Sequence, residues 1–326
     1  MSSVHAELRD LVDDITATPG DPDRLWDTVA ALGLHTIGVP EADGGSGGDL
    51  ADLVTVVRRL AHRAASVPVA DHAVAAWTLA LAGHPLPTAG PLVVVLDTTL
   101  VAGPMSVPWG RCAAGLVVVG SDDVIRYADP AGRRPGIEEG ANLAGEPRDT
   151  VRLDEIPLAV LAGAPPADAI RARAGLLRAA AVAGACAGAY ELTRTYVAQR
   201  RQFDGPLIDI PAVAASLAGM KVAALQVDAA VDRAVDLQAT PASPADLLAA
   251  TATARVVAAR TADTVARNAH QLHGAMGVTR EYALHPLTTR LWAWRDEDGH
   301  EESWARLLGT HVIEGGEAHL WERLTA

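Results

Sequence analysis

Apolar residues recur at the three- and four-residue spacing of a helix through the first 83 residues. Leu53, Val57 and Leu60 share one helical face, and the stretch 23–34 shows the same spacing. The Gly- and Asp-rich segment 37–48 separates these two stretches and is typical of a turn. The pattern therefore predicts a helical N-terminal part with a turn near its middle.

Between residues 85 and 157 the pattern changes to short apolar runs that are bounded by Gly, Pro, Asp and Ser. Four such runs stand out, at 92–96, 114–119, 124–127 and 150–153. They are too few and too closely spaced to alternate with helices as βαβ units do. The segment is predicted to be a small β-domain.

Helical spacing returns at Ala167 and continues almost to the end of the chain. The strongest start signal is Ser243-Pro244-Ala245-Asp246, with an N-cap serine, proline at the first helical position and aspartate at the third. The predicted helices span 167–202, 211–237, 244–273, 284–295 and 301–323. Long helices with brief connections favour an antiparallel bundle.

The fold class that follows is mostly α with a small β-domain. We place the domain boundaries at 1–86 for the N-terminal helical domain, 87–163 for the β-domain and 164–326 for the C-terminal bundle. Composition agrees, because hydrophobic residues make up 49% of the 326 residues while aromatic residues make up 4%, with a single Phe. Small unbranched side chains suit closely packed helices, whereas a large β-sandwich needs more β-branched and aromatic residues.

Charge excludes several classes of function. Forty acidic and 27 basic residues give a net charge of −13, which repels the phosphate backbone of nucleic acids. Lys221 is the only lysine, and no GxxxxGK[ST] segment is present. Neither a lysine Schiff base nor a P-loop is therefore expected.

The remaining composition indicates a cytoplasmic protein without a metal site. The N-terminus lacks the basic start and apolar core of a signal peptide, and no apolar stretch is expected to reach the length of a membrane span. Cys112 and Cys186 are 74 residues apart, which fits neither a disulfide framework nor a zinc site. Each is interpreted as a small buried apolar residue.

Three motifs occur in a fixed order along the chain. The first lies at Leu32–Gly47 and contains Gly38-Val-Pro-Glu41 followed by Gly44-Gly-Ser-Gly47. The second is Tyr196-Val-Ala-Gln-Arg-Arg-Gln-Phe-Asp-Gly-Pro-Leu207, and the third is Gln271-Leu-His-Gly-Ala-Met-Gly277, with Glu281-Tyr282 after it. Together they resemble the acyl-CoA dehydrogenase signatures L-G-[LV]…VPE…GGxG, YxxxRxxFGxP[IL] and Qxx-G-[GA]-x-G.

The resemblance covers nearly the whole chain and implies a fold and an activity. It implies an N-terminal helical domain, a β-barrel-like middle domain and a C-terminal four-helix bundle. The implied reaction uses FAD to introduce an α,β double bond into an acyl-CoA thioester. Oligomerisation and electron-transfer flavoprotein as the electron acceptor are also family expectations.

The same resemblance assigns FAD contacts. Arg200 corresponds to the arginine that contacts the pyrophosphate, and Phe203 to the apolar wall beside it. Gln271 would contact the adenosine end, while Gly274 and Gly277 would let the backbone pass the pyrophosphate. The structural alternatives are a solvated arginine, a core phenylalanine and glycines that merely end a helix.

The catalytic base is the weakest match. Aligned without gaps, the position of the family's glutamate falls on Asp298, and Glu297 is the reserve candidate. Aspartate is one methylene shorter, which would set its carboxylate back by roughly 1.5 Å. The other family location for the base, near the start of the first bundle helix, shows Arg171 to Arg178 and no carboxylate. The acidic cluster around Asp298 also suits a solvated helix start.

Other departures from the family's motifs affect residues that are expected to contact the flavin. The family's TEPx[AG]GSD strand motif is absent, and the segment 96–103 is a poor substitute. Asp204 replaces the glycine that follows RxxF. In the middle segment only Trp109 and Tyr127 are aromatic residues that could wall a flavin ring.

Two main hypotheses follow. The first is an active acyl-CoA dehydrogenase with Asp298 as the base, which the strength of the family signature places ahead. The second is a catalytically incomplete subunit that completes the FAD site of a partner acyl-CoA dehydrogenase in a heteromer. A scaffold that has lost flavin is the third, and the retention of Arg200 and Gln271 speaks against it.

Overall fold

The structure is a computed structural model that describes residues 3–17, 22–87, 89–98, 104–129 and 136–325. The chain divides into two compact units, residues 1–177 and 178–326. The boundary falls within the long helix α5, so each unit contains part of it. The three domains placed at 1–86, 87–163 and 164–326 stay a prediction.

The N-terminal part is helical, as the spacing of apolar residues predicts. Its described residues contain four helices: α1 Ser3–Thr16, α2 Pro22–Ala31, α3 Leu50–His62 and α4 Val69–Leu81. Helix α3 begins with a capping box, because the Asp49 side chain accepts from the Asp52 backbone at 2.9 Å and the Asp52 side chain accepts from Asp49 at 3.1 Å. Gly33 follows α2 with a φ of 71°, a left-handed conformation that favours glycine.

A buried histidine joins α4 to the first β-strand. His72 is 3% exposed, and its Nδ1 accepts a hydrogen bond from the Leu92 backbone at 2.9 Å. Its ring lies 4.7 Å from that of His35 and 5.3 Å from that of Trp26. Burial, and the neighbouring His35, lower the pKa of His72 to about 3, so the ring is neutral at physiological pH.

The middle part contains two small sheets built from seven strands: β1 Leu92–Thr98, β2 Pro104–Pro108, β3 Gly115–Gly120, β4 Ile125–Ala128, β5 Ile137–Glu138, β6 Arg148–Arg152 and β7 Ala159–Val160. One sheet has the order β1-β3-β4-β7 and the other the order β2-β6-β5. Their shared core consists of buried aliphatic side chains, with Met105 and Trp109 packed against it.

The predicted small β-region is confirmed, but three of its strands were not predicted. β2 begins and ends with proline, which removes the backbone donors at both ends and hides the strand signal. β5 and β7 have two residues each, too few to show alternation. Most of the segment 96–103, which was compared with the flavin motif, lies outside the described residues.

Five helices and one hairpin complete the chain: α5 Ala167–Gln199, α6 Pro211–Gln238, α7 Pro244–His273, α8 Leu284–Trp294 and α9 Glu301–Thr325, with β8 Arg201–Gln202 paired to β9 Gly205–Pro206. Helix α5 ends three residues before the predicted end because the hairpin begins at Arg201. Gly316, with a φ of 74°, interrupts α9, and this break was not predicted.

The predicted start and end of α7 are confirmed. The Ser243 side chain accepts from the Asp246 backbone at 3.1 Å, and Pro244 occupies the first turn. Gly274 ends the helix with a φ of 58° and a ψ of −138°. Alanine supplies much of the buried surface of this helix, so neighbouring helices approach closely, and Thr261 donates to the Ala223 carbonyl of α6 at 3.3 Å.

Helix α6 carries an exposed apolar stripe. Its members recur at three- and four-residue spacing and are all exposed: Ala215, Ala218, Val222, Leu225 and Ala229. Within the described residues, α6 is also the one helix long and apolar enough to cross a membrane, although only 28% of its most apolar window is buried. The expectation that no stretch reaches that length is therefore wrong for α6, whose other face packs in the bundle.

The single lysine and the two cysteines of the chain lie in different surroundings. The Lys221 ammonium of α6 lies 5.3 Å from the centre of the Tyr190 ring on α5, a cation–π contact. Cys186 is buried, as expected, and burial raises the pKa of its thiol. Cys112 is exposed, so the expectation of a buried residue is wrong there, because it lies in a short turn rather than in a strand.

We expect the unfolding free energy to fall as the pH drops from about 6.5 towards 3, because the unfolded chain then binds a proton that folded His72 does not. The maximum slope from this residue is about 1.4 kcal/mol per pH unit. His72→Asn keeps an acceptor near Nδ1 without titrating, so urea unfolding at pH 7.5 and 5.0 should show a smaller difference. His300→Asn, at a side chain that is 75% exposed, is the control and should leave the difference unchanged.

Candidate cofactor site and acid–arginine cluster

A tight hairpin follows α5 and carries the RxxF motif. Leu207 donates to the Arg200 carbonyl at 2.8 Å, which closes the hairpin around Phe203 and Asp204. Both turn residues have positive φ, 52° and 66°, as the central residues of a type I′ turn do. Asn-Gly normally fills such a turn, so a Phe-Asp pair stores strain that the surrounding structure must hold.

The side chains of this hairpin point to solvent. Phe203 is 86% exposed, and Arg200 is exposed as well. The alternative that Phe203 belongs to the core is therefore wrong. A large aromatic side chain on a strained turn, outside the core, is a feature that a ligand or another chain can cover.

The third motif forms a compact turn at the end of α7. A Cβ placed on Gly274 would meet nothing within 4 Å, so the backbone there is open to a ligand. Gly277 differs, because it is buried and a Cβ would lie 2.9 Å from the His273 Cβ. Gly277 is thus required for packing of the turn itself.

An aromatic cluster brings the two motifs to the same end of the bundle. The Tyr196 ring, one helical turn before Arg200, stacks on His273 with centroids 4.4 Å apart. Tyr282 packs against both rings, at 5.2 Å from His273 and 6.4 Å from Tyr196. His273 is 3% exposed, and burial lowers the pKa of its imidazole, which fits a packed residue.

A cleft of about 700 Å³ opens beside this cluster. Its lining combines one cation, an amide, an open glycine, two imidazoles and an indole: Arg267, His270, Gln271, Gly274, Val278, His285, Thr289 and Trp292. His270 stacks on Trp292 with the rings 5.2 Å apart and nearly parallel, and it hydrogen-bonds Thr288 at 3.0 Å. Burial lowers the pKa of His270 and favours its neutral form.

The cleft has the groups that a dinucleotide needs. Gln271 can both donate to and accept from a base, and Arg267, whose Nε donates to Asp263 at 2.9 Å, carries a positive charge that a phosphate can approach. The backbone at Gly274 is open to close approach. Of the predicted FAD residues, Gln271 and Gly274 line the cleft, while Arg200 and Phe203 lie on the hairpin that the aromatic cluster ties to it.

The predicted base lies elsewhere, in a buried ion-pair cluster. The Arg178 Nε donates to Asp298 at 2.7 Å, and its Nη2 lies 3.4 Å from Glu297. All three side chains are buried or nearly so, with exposures of 8%, 13% and 12% for Arg178, Asp298 and Glu297. One guanidinium therefore engages both candidate carboxylates.

The loop that carries these carboxylates is held by a second buried arginine. Arg255, 1% exposed, donates through Nη2 to the carbonyls of Arg295, Glu297 and Gly299 at 3.2, 2.5 and 3.0 Å. Its Nη1 reaches the Trp294 carbonyl at 3.4 Å. Burial lowers the pKa of Arg255 to about 10, so it stays cationic at neutral pH.

The loop itself has an unusual backbone. Asp298 has a φ of 58°, and its carbonyl accepts from the Trp304 indole at 3.1 Å. Gly299, at φ 107°, lies so close to Trp304 that a Cβ would be 2.8 Å from the indole nitrogen. Sequence reasoning missed Arg255 and Trp304. The available signal was a charged residue within the Ala-rich run Ala252–Ala259 of a core helix.

Comparison with known proteins now adds to this geometry. Residues 2–86 match the model of the acyl-CoA dehydrogenase N-terminal domain, and residues 172–313 match that of the acyl-CoA dehydrogenase C-terminal domain. The chain belongs to the acyl-CoA dehydrogenase family. The resemblance inferred from the three motifs is thereby confirmed, and so is the mostly helical fold class with a small β-region.

Two relatives in this family are mycobacterial proteins. The chain is 29% identical over 276 residues to the acyl-CoA dehydrogenase IpdE2 of Mycobacterium tuberculosis, which covers 82% of this chain and 79% of that protein. The IpdE2 protein of Mycolicibacterium smegmatis is 25% identical over 269 residues, covering 81% and 79%.

Solved structures of the family share the fold. The steroid acyl-CoA dehydrogenase Tcur3481–Tcur3483 matches with a TM-score of 0.84 and 23% identity, covering 95% of this chain and 98% of that one. The ChsE4–ChsE5 complex of Mycobacterium tuberculosis matches with a TM-score of 0.83 and 19% identity, covering 97% and 99%. Butyryl-CoA dehydrogenase of Megasphaera elsdenii has a TM-score of 0.76 and 16% identity, covering 96% and 99%.

We expect Arg255→Met to lower the unfolding free energy by about 3 kcal/mol, because it leaves several buried carbonyls without a donor. Hydrogen exchange should accelerate at residues 295–299 in particular. Arg260→Met on the same helix is the control, since Arg260 pairs with Glu301 at the surface and such pairs contribute about 0–1 kcal/mol. Equal losses in both variants would contradict the role given to Arg255.

Proposed function

We propose that this chain is a subunit of a heteromeric, FAD-dependent acyl-CoA dehydrogenase that introduces an α,β double bond into an acyl-CoA thioester. In this proposal it helps to hold FAD and a partner dehydrogenase chain supplies the catalytic base. The observation that carries the proposal is the engagement of Asp298 and Glu297 by Arg178.

The charges around Asp298 speak against its role as the base. Removal of the Cα proton needs a carboxylate that is aimed at the substrate and able to accept a proton. Here Oδ2 of Asp298 already accepts from Arg178 at 2.7 Å, in a site where all three side chains are largely buried. Withdrawing Asp298 would leave the guanidinium without its nearest anion, a cost of about 3–5 kcal/mol for buried pairs.

The cleft and the hairpin together support a role in binding FAD. FAD, when bound, accepts the hydride that leaves Cβ of the acyl group. Gln271 would contact its adenosine end within the cleft, the open backbone at Gly274 would let the chain pass the pyrophosphate, and Gly277 keeps the turn compact. Arg200 would bind the pyrophosphate through charge-assisted hydrogen bonds, with Phe203 as an apolar wall.

Exposed apolar surface supports the presence of a partner chain. Phe203 is 86% exposed, and Val222 and Leu225 in the α6 stripe are 56% and 52% exposed. One structural neighbour is named as the steroid acyl-CoA dehydrogenase Tcur3481–Tcur3483, and another is named as the ChsE4–ChsE5 complex. A second acyl-CoA dehydrogenase chain is therefore the partner that we propose, with electron-transfer flavoprotein as the acceptor.

The second candidate is a dehydrogenase that is active by itself or as a homo-oligomer, with Asp298 as the base and Glu297 in reserve. One observation favours it. The Asp298-Gly299 pair lies on a loop that Arg255 and Trp304 hold in a single shape, as a positioned base requires.

The deciding experiment compares the chain alone with the chain co-expressed with a complete acyl-CoA dehydrogenase from the same source. Visible absorbance reports bound flavin, and bleaching by an acyl-CoA reports turnover. We expect flavin and activity only in the co-expressed complex. Bleaching by the purified chain alone would favour the second candidate and overturn the first.

Asp298→Asn separates the two candidates directly. If the partner supplies the base, turnover per folded complex should stay within about twofold of the parent. A loss of three or more orders of magnitude would identify Asp298 as the base. Asp296→Asn, at an exposed neighbour, controls for changes in the loop, and thermal unfolding corrects for the weakened ion pair.

We further expect Arg200→Ala to weaken FAD binding by the complex by a factor of about 10 to 100, the range for a lost charge-assisted hydrogen bond. Fluorescence quenching of added FAD measures the effect. Arg194→Ala, at an exposed arginine on the same helix, should leave the affinity unchanged. Equal affinity in both variants would remove Arg200 from the proposed cofactor site.

A further inference from the structure

The described part of the chain contains four arginines that are less than 9% exposed: Arg173, Arg178, Arg255 and Arg290. Three of them donate to oxygen atoms. Arg178 pairs with two carboxylates, Arg255 with backbone carbonyls, and Arg290 donates to the Pro286 carbonyl at 2.9 Å. Arg173, 7% exposed, is different, because its buried Nε and Nη2 have no hydrogen-bond partner among the described residues.

The surroundings of Arg173 compensate its charge only in part. Its guanidinium lies 4.8 Å from the centre of the Trp77 ring, so one face makes a cation–π contact. Its Nη2 approaches Gly38, where a Cβ would lie 2.9 Å away. Burial lowers the pKa of Arg173 to about 10, which still leaves it cationic at neutral pH. A buried cation with unsatisfied donors is costly unless an anion completes it.

The geometry limits what that anion can be. Nε and Nη2 form one edge of the guanidinium, and this edge can donate two parallel hydrogen bonds to a carboxylate. A phosphate normally gathers further cations or amide donors. The cation two residues earlier, Arg171, is already engaged by Asp123 at 2.8 Å and Asp168 at 2.9 Å. A single guanidinium edge beside an indole ring suits a planar group with one negative charge, such as a carboxylate.

We propose that Arg173, with Trp77 and Gly38, is a binding site for the carboxylate of a small molecule. Both donor atoms are covered in the structure, so a ligand has to displace neighbouring atoms to reach them, and a slender group does so more readily than the surface of a second protein. The site belongs to residues 1–177 and shares no residue with the cofactor cleft, so the proposal stands whether or not the proposed dehydrogenase function holds.

The test is thermal unfolding of the full-length chain in sodium benzoate and sodium glutarate, with sodium chloride at matched ionic strength. We expect both carboxylates to raise the midpoint saturably and chloride to leave it unchanged. Arg173→Met should abolish this shift and raise the midpoint without ligand, because it replaces an unpaired buried cation by an apolar side chain of similar length. Arg178→Met is the matched control and should lower the midpoint while keeping the carboxylate shift.

Arg173→Lys, which keeps the charge but loses the fork, serves if the Met variant does not fold, and it should weaken carboxylate binding at least tenfold. Equal carboxylate shifts in the parent and in the Arg173 variants would overturn the proposal. So would the absence of a shift in the parent together with a lower midpoint in Arg173→Met, which indicates an internal structural role. A rise in the midpoint that requires Arg173 and is produced by a partner dehydrogenase chain, but by neither carboxylate, would overturn the proposal in favour of a protein contact.

Discussion

Arg255 lies inside the C-terminal bundle and donates to four carbonyls of the segment 294–299. The conformation of this segment depends on that interaction, because a loop with left-handed residues at Asp298 and Gly299 otherwise leaves its carbonyls buried without donors. The position of Asp298 opposite Arg178 follows from the same loop. Small residues make this arrangement possible, since alanines along α7 leave room for a guanidinium within the bundle.

The two buried arginines also explain why the candidate base is difficult to assign from sequence. Aligning the chain with the family signature locates an acidic residue at the right distance from the glycine turn, but it does not show what that residue contacts. Here the contact is an arginine on α5, 120 residues away in the chain. A carboxylate in that environment contributes to the structure, and this is why a partner chain enters the proposed mechanism.

Much of the fold could be predicted from spacing and end signals. The helices, the Ser243 start and the Gly274 end follow from local rules that depend on a few neighbouring residues. The proline-bounded strand β2, the kink at Gly316 and the short strands β5 and β7 could not, because each depends on long-range pairing or on one residue. In the site, motif order located the hairpin and the glycine turn. The aromatic cluster of Tyr196, His273 and Tyr282 that joins them is a property of the folded chain.

The Lys221–Tyr190 contact has a chemical consequence. A thioester such as an acyl-CoA acylates free amines spontaneously, and this chain offers a single lysine, whose ammonium is held over an aromatic ring. An amine-directed reagent would therefore modify one defined point on the outer side of α6, apart from the chain's own amino terminus. That point borders the apolar stripe, so a fluorophore attached there would report directly on whether another chain covers this helix.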